Sequence, residues 1–537
     1  MQSESLQQQM NITFPQTTQT IVPLDTSCND LHDGDSPRPR PRDRAESVNT
    51  LVDEEKGTIA QPIERIKTIG WDGPDDPENP KNWSNRKKWI ATTVVAMFTF
   101  ISPVSSSMIA PALEQVGNDL HVAPGFGQSM LLSIFVLAYA IGPLFLGPLS
   151  EVFGRTKVLY LAYLFFLVFC LACGFAQTQG QLLAFRFIAG LGGSAPLAIG
   201  PGVLADLWPA EKRGKAFGLY TAGPLLGPAI GPILGGFIAE YSTWRWVFWS
   251  IAIYTALMQI AGVFALQETY APILLARKAA RLAKEARESG NADNLSLQPT
   301  QTTPPLPQLI QRALKRPFYL LLTQPIIQAL ALYQLYLYGT IYLVLTTFPI
   351  VWTTVYSESP GVGGLNYLSL GLGFLLASVF ASRLNDKIYI HLKSTRGFGQ
   401  GRPEFRVPMM FPSSLLVVIG LFIYGWSVQF RTHWIVPNIG SFLFATGTIV
   451  SYQCSQTYCV DAYTAVAASA MSAVVTLRSL AGFGFPLFAP AMYDALGFGW
   501  GNSLLGFIAL GVGVPAPLAF WFFGEKMRMR SSEARSE

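Results

Sequence analysis

The residues of this chain that could do chemistry sit in or beside apolar sequence. GPLSEVFGRTKV at 147–158 sets Glu151 and Arg155 four residues apart, with Gly147 and Gly154 around them. At that spacing a carboxylate and a guanidinium meet on one helix face or across a tight turn, where they form a pair that can be made and broken. The two glycines permit close backbone approach. Asp206, in LADLW, is an acid of the same kind at the end of another apolar run. Arg186 and Arg478 are lone guanidiniums inside apolar runs, where a cation is costly and must face protein or a wet cavity. GLYTAGPLLGPAIGPILGGF at 218–237 places Gly223, Gly227, Gly231 and Gly235 on every fourth position, then Gly236, with Pro224, Pro228 and Pro232 behind the first three. Such a stretch should not be helical in water, because glycine costs a helix about 1 kcal/mol and an interior proline about 3. In a bilayer it has no alternative to internal hydrogen bonds, and its glycine face lets a neighbouring helix approach closely.

The elements that must hold these residues follow from hydropathy. Of 537 residues, 50% are hydrophobic and 13% charged, and the charges are bunched between long uncharged runs. Runs near 20 residues can span a bilayer, and twelve are read, from 89–113 to 495–524. Pro325 and Pro349 bracket the long run 317–357, which is taken as an interfacial lead-in and one span. Lys and Arg number 26 on one side of this scheme, against only Arg245 and Arg431 on the other. That asymmetry puts both termini in the cytosol. The expected fold is an all-α polytopic membrane protein of two six-helix bundles. Residues 1–85 form a disordered cytosolic tail, 86–268 the first bundle, 269–316 a central cytosolic loop, 317–525 the second bundle and 526–537 a short tail. The loop should begin as a basic amphipathic helix and continue as a Pro/Thr-rich linker. The sequons at Asn11, Asn82 and Asn294 all fall on the cytosolic side of this topology and are read as chance matches.

A cluster of ordered motifs goes further. WDGPDDPENPKNWSNRKKW at 71–89, PLSEVFGR at 148–155, RFIAGLGGSAP at 186–196 and GPLLGPAIGPILGG at 223–236 are followed by WRWVFW at 244–249, ETYAPILLARKA at 268–279 and YGTIYLVLTTFP at 338–349. Over residues 71–525 the chain resembles the major facilitator superfamily, in its twelve-span drug:proton antiporter branch of fungal multidrug and secondary-metabolite exporters. The resemblance implies roles. Glu151, Arg155 and Asp206 would form a cytosolic charge cluster locking the two halves, with Gly147 and Gly154 at its turn. Val152 departs from the pattern, since that position is often basic in relatives. Arg186 would take part in proton coupling, with snorkelling to the outer interface as the alternative. The glycine–proline stripe would mark an exporter and serve as the smooth seam on which the halves rock.

The substrate cavity is sketched by residues alone. Gln334, Tyr338 and Tyr342 recur at i, i+4 and i+8 on one helical face. Gln453 and Gln456, with Ser105, Ser106 and Ser107, add polar groups from other runs. Arg478 is expected to pair, with Glu151 or Asp461 as candidate partners. The expectation is a proton-coupled antiporter of small amphipathic organic compounds, powered by the proton gradient and needing no cofactor. Its partners would be the lipid bilayer, the organic substrate and protons. It is expected to be a monomer of the plasma membrane, with the vacuolar membrane as the alternative. An importer of the same fold, a polyamine exporter and a nutrient sensor are the rival readings. Enzymatic activity is not expected: GxxxxGK[ST] is missing, Cys170 and Cys173 lie in an apolar run without a histidine, and all four histidines lie in tails, loops or span ends. Metal and nucleic-acid binding are likewise not expected.

Overall fold

The computed structural model describes residues 65–209, 213–288, 295–299, 305–396, 401–463 and 467–529. Strand β1 (Arg65–Ile69) leads into a turn and then α1 (Asn85–Ser107), α2 (Leu113–Leu120), α3 (Phe126–Phe153) and α4 (Arg155–Gly174). The fourth span is broken at Ser194 into α5 (Gln179–Gly193) and α6 (Ala195–Leu207). Helices α7 (Arg213–Tyr241) and α8 (Arg245–Ala265) complete the first bundle. Between the bundles lie α9 (Ala271–Glu288), β2 (Leu295–Pro299) and α10 (Leu306–Thr323). The second bundle contains α11 (Pro325–Ile350), α12 (Pro360–Leu365), α13 (Tyr367–Thr395), α14 (Met410–Gln429), α15 (Ile435–Ala462), α16 (Ala467–Ile508) and α17 (Pro515–Met529).

Among the described residues, eleven helical stretches are long and apolar enough to cross a membrane, and the last, Ser469–Met529, runs to 61 residues. That is about three times the length of one crossing. Gly497, at φ 71°, breaks it where the chain turns back, so twelve crossings result. Serine at the start and proline at the first turn set several boundaries. Ser84 caps α1 through the amide of Lys87, and Ser359 caps α12 through that of Val362. Gln324 and Pro325 divide the lead-in α10 from α11, as the bracketing prolines suggested.

Two expectations about the flanks need correction. Residues 65–85 of the expected tail are folded; residues 1–64 lie outside the described residues. The segment 71–84 folds because polar groups close on each other. Asp76 accepts the amides of Asp72 and Glu78 at 2.9 and 2.8 Å, and Asn82 Nδ2 donates to the carbonyls of Pro74 and Asp76. Asn82 is thereby committed to a turn; Asn11 and Asn294 lie outside the described residues. The central loop contains further elements after its first helix, while residues 289–294 and 300–304 of the expected linker lie outside the described residues. β2 pairs in parallel with β1, from Arg65 opposite Leu295 to Ile69 opposite Pro299, and α10 starts at Leu306, eleven residues before the expected start of the second bundle.

Within the first bundle α1 packs on α7 and α4 on α8; within the second, α11 packs on α16 and α14 on α15. The bundles meet where α3 touches α16 and where α7 touches α12 and α13. Helix α10 touches both α3 and α16, tying one helix of each bundle together.

Candidate functional site

The basic end of the first bundle is organised around a one-residue turn. Gly154 alone separates α3 from α4 and sits at φ 101°, a region L-residues rarely adopt. A Cβ there would also strike the Glu268 carboxylate. Glu268 occupies that space for an electrostatic reason. Its oxygens accept the amides of Arg155 and Thr156 at 3.0 and 3.3 Å, the first free N–H groups of α4. The same carboxylate accepts the amides of Thr269 and Tyr270, each at 3.0 Å. Arg155 lies flat on Gly202, where a Cβ would come within 2.8 Å of Cζ. It donates to Ser150 Oγ at 2.8 Å and stacks 4.7 Å from the Tyr270 ring. Its carboxylate neighbours are farther: Asp206 at 3.5 Å and Glu151 at 3.9 Å. These distances exceed the 2.7–2.9 Å of a tight charge-assisted bond, so the pairing is loose.

Glu151, Arg155 and Asp206 therefore come together as expected, but the lock between halves does not follow. Every partner just named belongs to the first bundle or to the segment leaving α8. The reason is geometric. Arg155 at the start of α4 points at α6, so its charge is absorbed within its own bundle. Gly147 has open space around its α-carbon, so close approach is not what it provides here.

The glycine stripe also packs inside one bundle. A Cβ on Gly223 would meet the Phe100 backbone at 3.1 Å. One on Gly227 would meet Pro103 Cβ at 2.7 Å and Val104 N at 3.0 Å, and one on Gly231 would meet Ser107 Oγ at 2.5 Å. Gly235 faces the Met108 carbonyl. All four contacts lie on the first span, in or just beyond α1, so the stripe is not the seam between halves. The seam is built from the adjoining face of α7. Gly236 meets the Pro360 carbonyl, Pro232 and Ile233 lie against Gly364, and Ala229 meets Gly371. Pro224, Pro228 and Pro232 remain inside the continuous helix α7. Nearby, Glu240 accepts Ser359 Oγ and the Gly361 amide, both at 2.8 Å, across the two bundles.

The two embedded arginines are handled differently. Arg186 is 1% exposed and bonds only backbone: Nε to the Leu131 carbonyl at 2.6 Å, and Nη2 to Ser106 and Leu132 at 3.4 and 3.5 Å. Ser106 is in the last turn of α1, where carbonyls lack helical donors. The rings of Phe135 and Phe248 lie 5.4 and 5.5 Å from its Cζ. This depth excludes snorkelling. Arg478 meets the Tyr338 and Tyr452 rings at 4.7 and 5.0 Å. Neither expected acid reaches it: Glu151 neighbours Arg155, and Asp461 accepts Arg406 Nε at 3.0 Å.

Of the cavity candidates, the Tyr338 and Tyr342 rings lie tilted at 43° with centres 4.9 Å apart, and Tyr342 reaches Ser106 Oγ of the other bundle at 3.5 Å. Gln334 and Gln453 donate inside the second bundle, to Ser455 and Ser378 at 3.0 and 3.1 Å, while the Oε1 of each is buried without a partner. The tyrosines thus face the seam and the two amides pack.

The sequence profile described as Major Facilitator Superfamily matches residues 95–486. The chain belongs to this superfamily. It is 53% identical to efflux pump vrtL of Penicillium aethiopicum, over 87% of this chain and 91% of that one. Identity to MFS-type transporter oryF of Aspergillus oryzae is 44%, covering 84% and 92%, and to efflux pump radE of Floropilus chiversii 41%, covering 86% and 84%. Among solved structures, the inward-open, partially occluded xylose transporter XylE of E. coli superposes with a TM-score of 0.59 at 18% identity, over 82% of this chain and 98% of that one. That likeness concerns the fold. As a major facilitator the chain is a membrane transporter and not an enzyme. Sequence reading missed Glu268, although ETYAPILLARKA was singled out; an acid directly after a span, followed by a helix, could have been recognised as a cap for a neighbouring helix. It also missed Glu240, whose partner is 119 residues away.

Proposed function

We propose that this major facilitator exports small amphipathic organic compounds in exchange for protons, by alternating access, using the proton gradient and no cofactor. The observation that carries export is the extent of similarity to relatives named efflux pumps, which runs through nearly the whole of both chains. The proposed setting is the plasma membrane, with both termini cytosolic and a single chain as the working unit. Glu240 and its partners on α12 form one closure between bundles, and α10 bridges the basic end. Alternating access breaks the first when the pathway opens outward. The loose Arg155 cluster supports a second, switchable contact, since charges at 3.5 and 3.9 Å can exchange partners at small cost. Arg186 does not release its proton at any physiological pH. Its part in coupling is that of a fixed charge setting the field around the seam.

Accumulation of labelled candidate compounds in transporter-deficient cells expressing the chain tests this reading. Lower accumulation than in empty cells, abolished by a protonophore, is the expected result. Export that survives collapse of the proton gradient would contradict antiport, and protonophore-sensitive accumulation would favour an importer.

A further inference from the structure

Export leaves the class of compound open, and Arg478 narrows it. Its helix crosses the seam at this point. One turn on, a Cβ on Gly482 would meet Tyr338 at 2.9 Å and Val136 of the first bundle at 3.1 Å. Nε and Nη1 of Arg478 are shielded from solvent and have no hydrogen-bond partner. The two tyrosine rings offset only part of the cost of such a burial, because a desolvated cation also needs acceptors for its N–H groups. The acids expected from sequence to pair with Arg478 are engaged elsewhere: Asp461 by Arg406, and Glu151 beside Arg155. Arg186 offers the control, since backbone carbonyls accept from its Nε and Nη2. One embedded arginine is satisfied by the protein, and the other presents unfilled donors beside aromatic faces at the seam.

We propose that Arg478 is an anion-binding residue, and that the pathway takes aromatic organic acids. Their carboxylate or phenolate pairs with the open N–H groups while the ring lies against Tyr338 and Tyr452. Occupancy then neutralises the charge at the seam, which lets the bundles close around a loaded site. This rests on the export reading for direction, but the binding step stands apart from it.

The full chain in lipid nanodiscs is titrated with fluorescein, followed by anisotropy, and the dye is displaced with benzoate or benzamide. Benzoate is expected to act at a concentration at least ten-fold lower than benzamide. Arg478→Gln removes that preference, and Arg478→Lys keeps part of it. No fluorescein binding, equal displacement by the two competitors, displacement by chloride as effective as by benzoate, or an undiminished preference in Arg478→Gln would each overturn the proposal. If Arg478→Gln does not fold, the wild-type preference and its weakening in Arg478→Lys decide the matter. Proteoliposomes with an imposed pH gradient separate the two readings. Fluorescein that binds through Arg478 but is not moved leaves the anion site standing and removes proton-driven export. Fluorescein that is moved equally well by Arg478→Gln does the reverse.

Discussion

Helices α1 and α7 hold the same place in the first bundle that α11 and α16 hold in the second, as spans one with five and seven with eleven. They are joined in different ways. In the first pair, backbone lies on backbone, with four glycines of α7 over residues 100–108. In the second pair rings fill the notches: Phe485 lies against Gly339, and Tyr338 against Gly482. A backbone contact has no rotamers to change, whereas a ring in a notch can turn. The first pair is therefore the rigid wall, and the second borders the pathway, where Tyr338 and Arg478 stand. The basic ends differ in the opposite sense. Arg155 is loosely held, while Arg528 grips Glu404 with bonds of 2.7 and 2.9 Å, and Arg406 holds Asp386 at 2.6 Å.

The sharpest way to break this comparison is to enlarge one glycine from each pair. Gly227→Leu forces a side chain into the α1 backbone and should cost about 1–3 kcal/mol of stability, the usual range for overpacking. Transport should fall at least as far as stability does, because the wall and its seam face belong to one helix. Gly484→Ala, with open space around the α-carbon, should leave both unchanged. Thermal unfolding and efflux of the same variants check the pair. A Gly227→Leu protein that transports normally would show that the rigid wall is dispensable.

The embedded arginines give the next largest effect. Burying an arginine in a span costs roughly 2.5–3.5 kcal/mol on insertion scales, and only one of its three carbonyl bonds is short, so they return only part of it. Arg186→Met should therefore unfold at a higher temperature than wild type while losing proton-coupled efflux. A fall in unfolding temperature would instead make Arg186 a structural keystone joining α1, α3 and α5. At the basic end, Glu268→Ala strands the first amides of α4 and should cost about 1–2 kcal/mol, as loss of a helix cap does. Its effect on transport should exceed that of Glu404→Ala, although Glu404 makes the tighter ion pair, because only the loosely paired cluster is expected to switch. Equal losses of transport would erase that distinction.

Much of this was legible in the sequence. Twelve crossings, the break before Pro325 and the nearness of Glu151 and Arg155 depend on local hydropathy, proline and short spacing, whereas Asp206 was placed beside them by the family resemblance. What could not be read was direction. A glycine every fourth residue declares a flat face, but not whether span one or span eight covers it; here α1 covers it, and the adjoining face with Gly236 meets the second bundle. Likewise the stripe Gln334, Tyr338 and Tyr342 shares one helix face, yet the glutamine bonds Ser455 in its own bundle while the tyrosines reach the seam. Partners distant in sequence leave no local pattern. Glu268 lies 113 residues from the amide it caps.

The smallest effect is expected where the two bundles are approached. The segment before α1 is pinned by charge to α9, whereas α10 runs into α11 directly. Lys278, 4% exposed, bonds Asp72 and Asp76 at 2.7 and 3.0 Å, and Arg281 bonds Glu78 at 2.7 Å. Burial pushes the Asp76 pKa up, but the amides of Asp72 and Glu78 and the Lys278 ammonium outweigh it and hold the carboxyl below 3.8. For Lys278 burial lowers the pKa, and Asp72 and Asp76 more than restore it, leaving it above 10.5. A lowered acid stabilises above its unfolded pKa and stops doing so as pH falls through the folded value. A raised base stabilises below its unfolded pKa and stops as pH rises through the folded one. The latch should therefore stay closed between these limits, and amide exchange at residues 71–84 should be flat in protection from about pH 5 to 9. Lys278→Met should raise that exchange at every pH in the window, by about ten-fold for a bond loss near 1.4 kcal/mol, with transport changed by less than about two-fold. Protection that drops between pH 5 and 7 would mean that a group other than Asp76 and Lys278 holds the segment down.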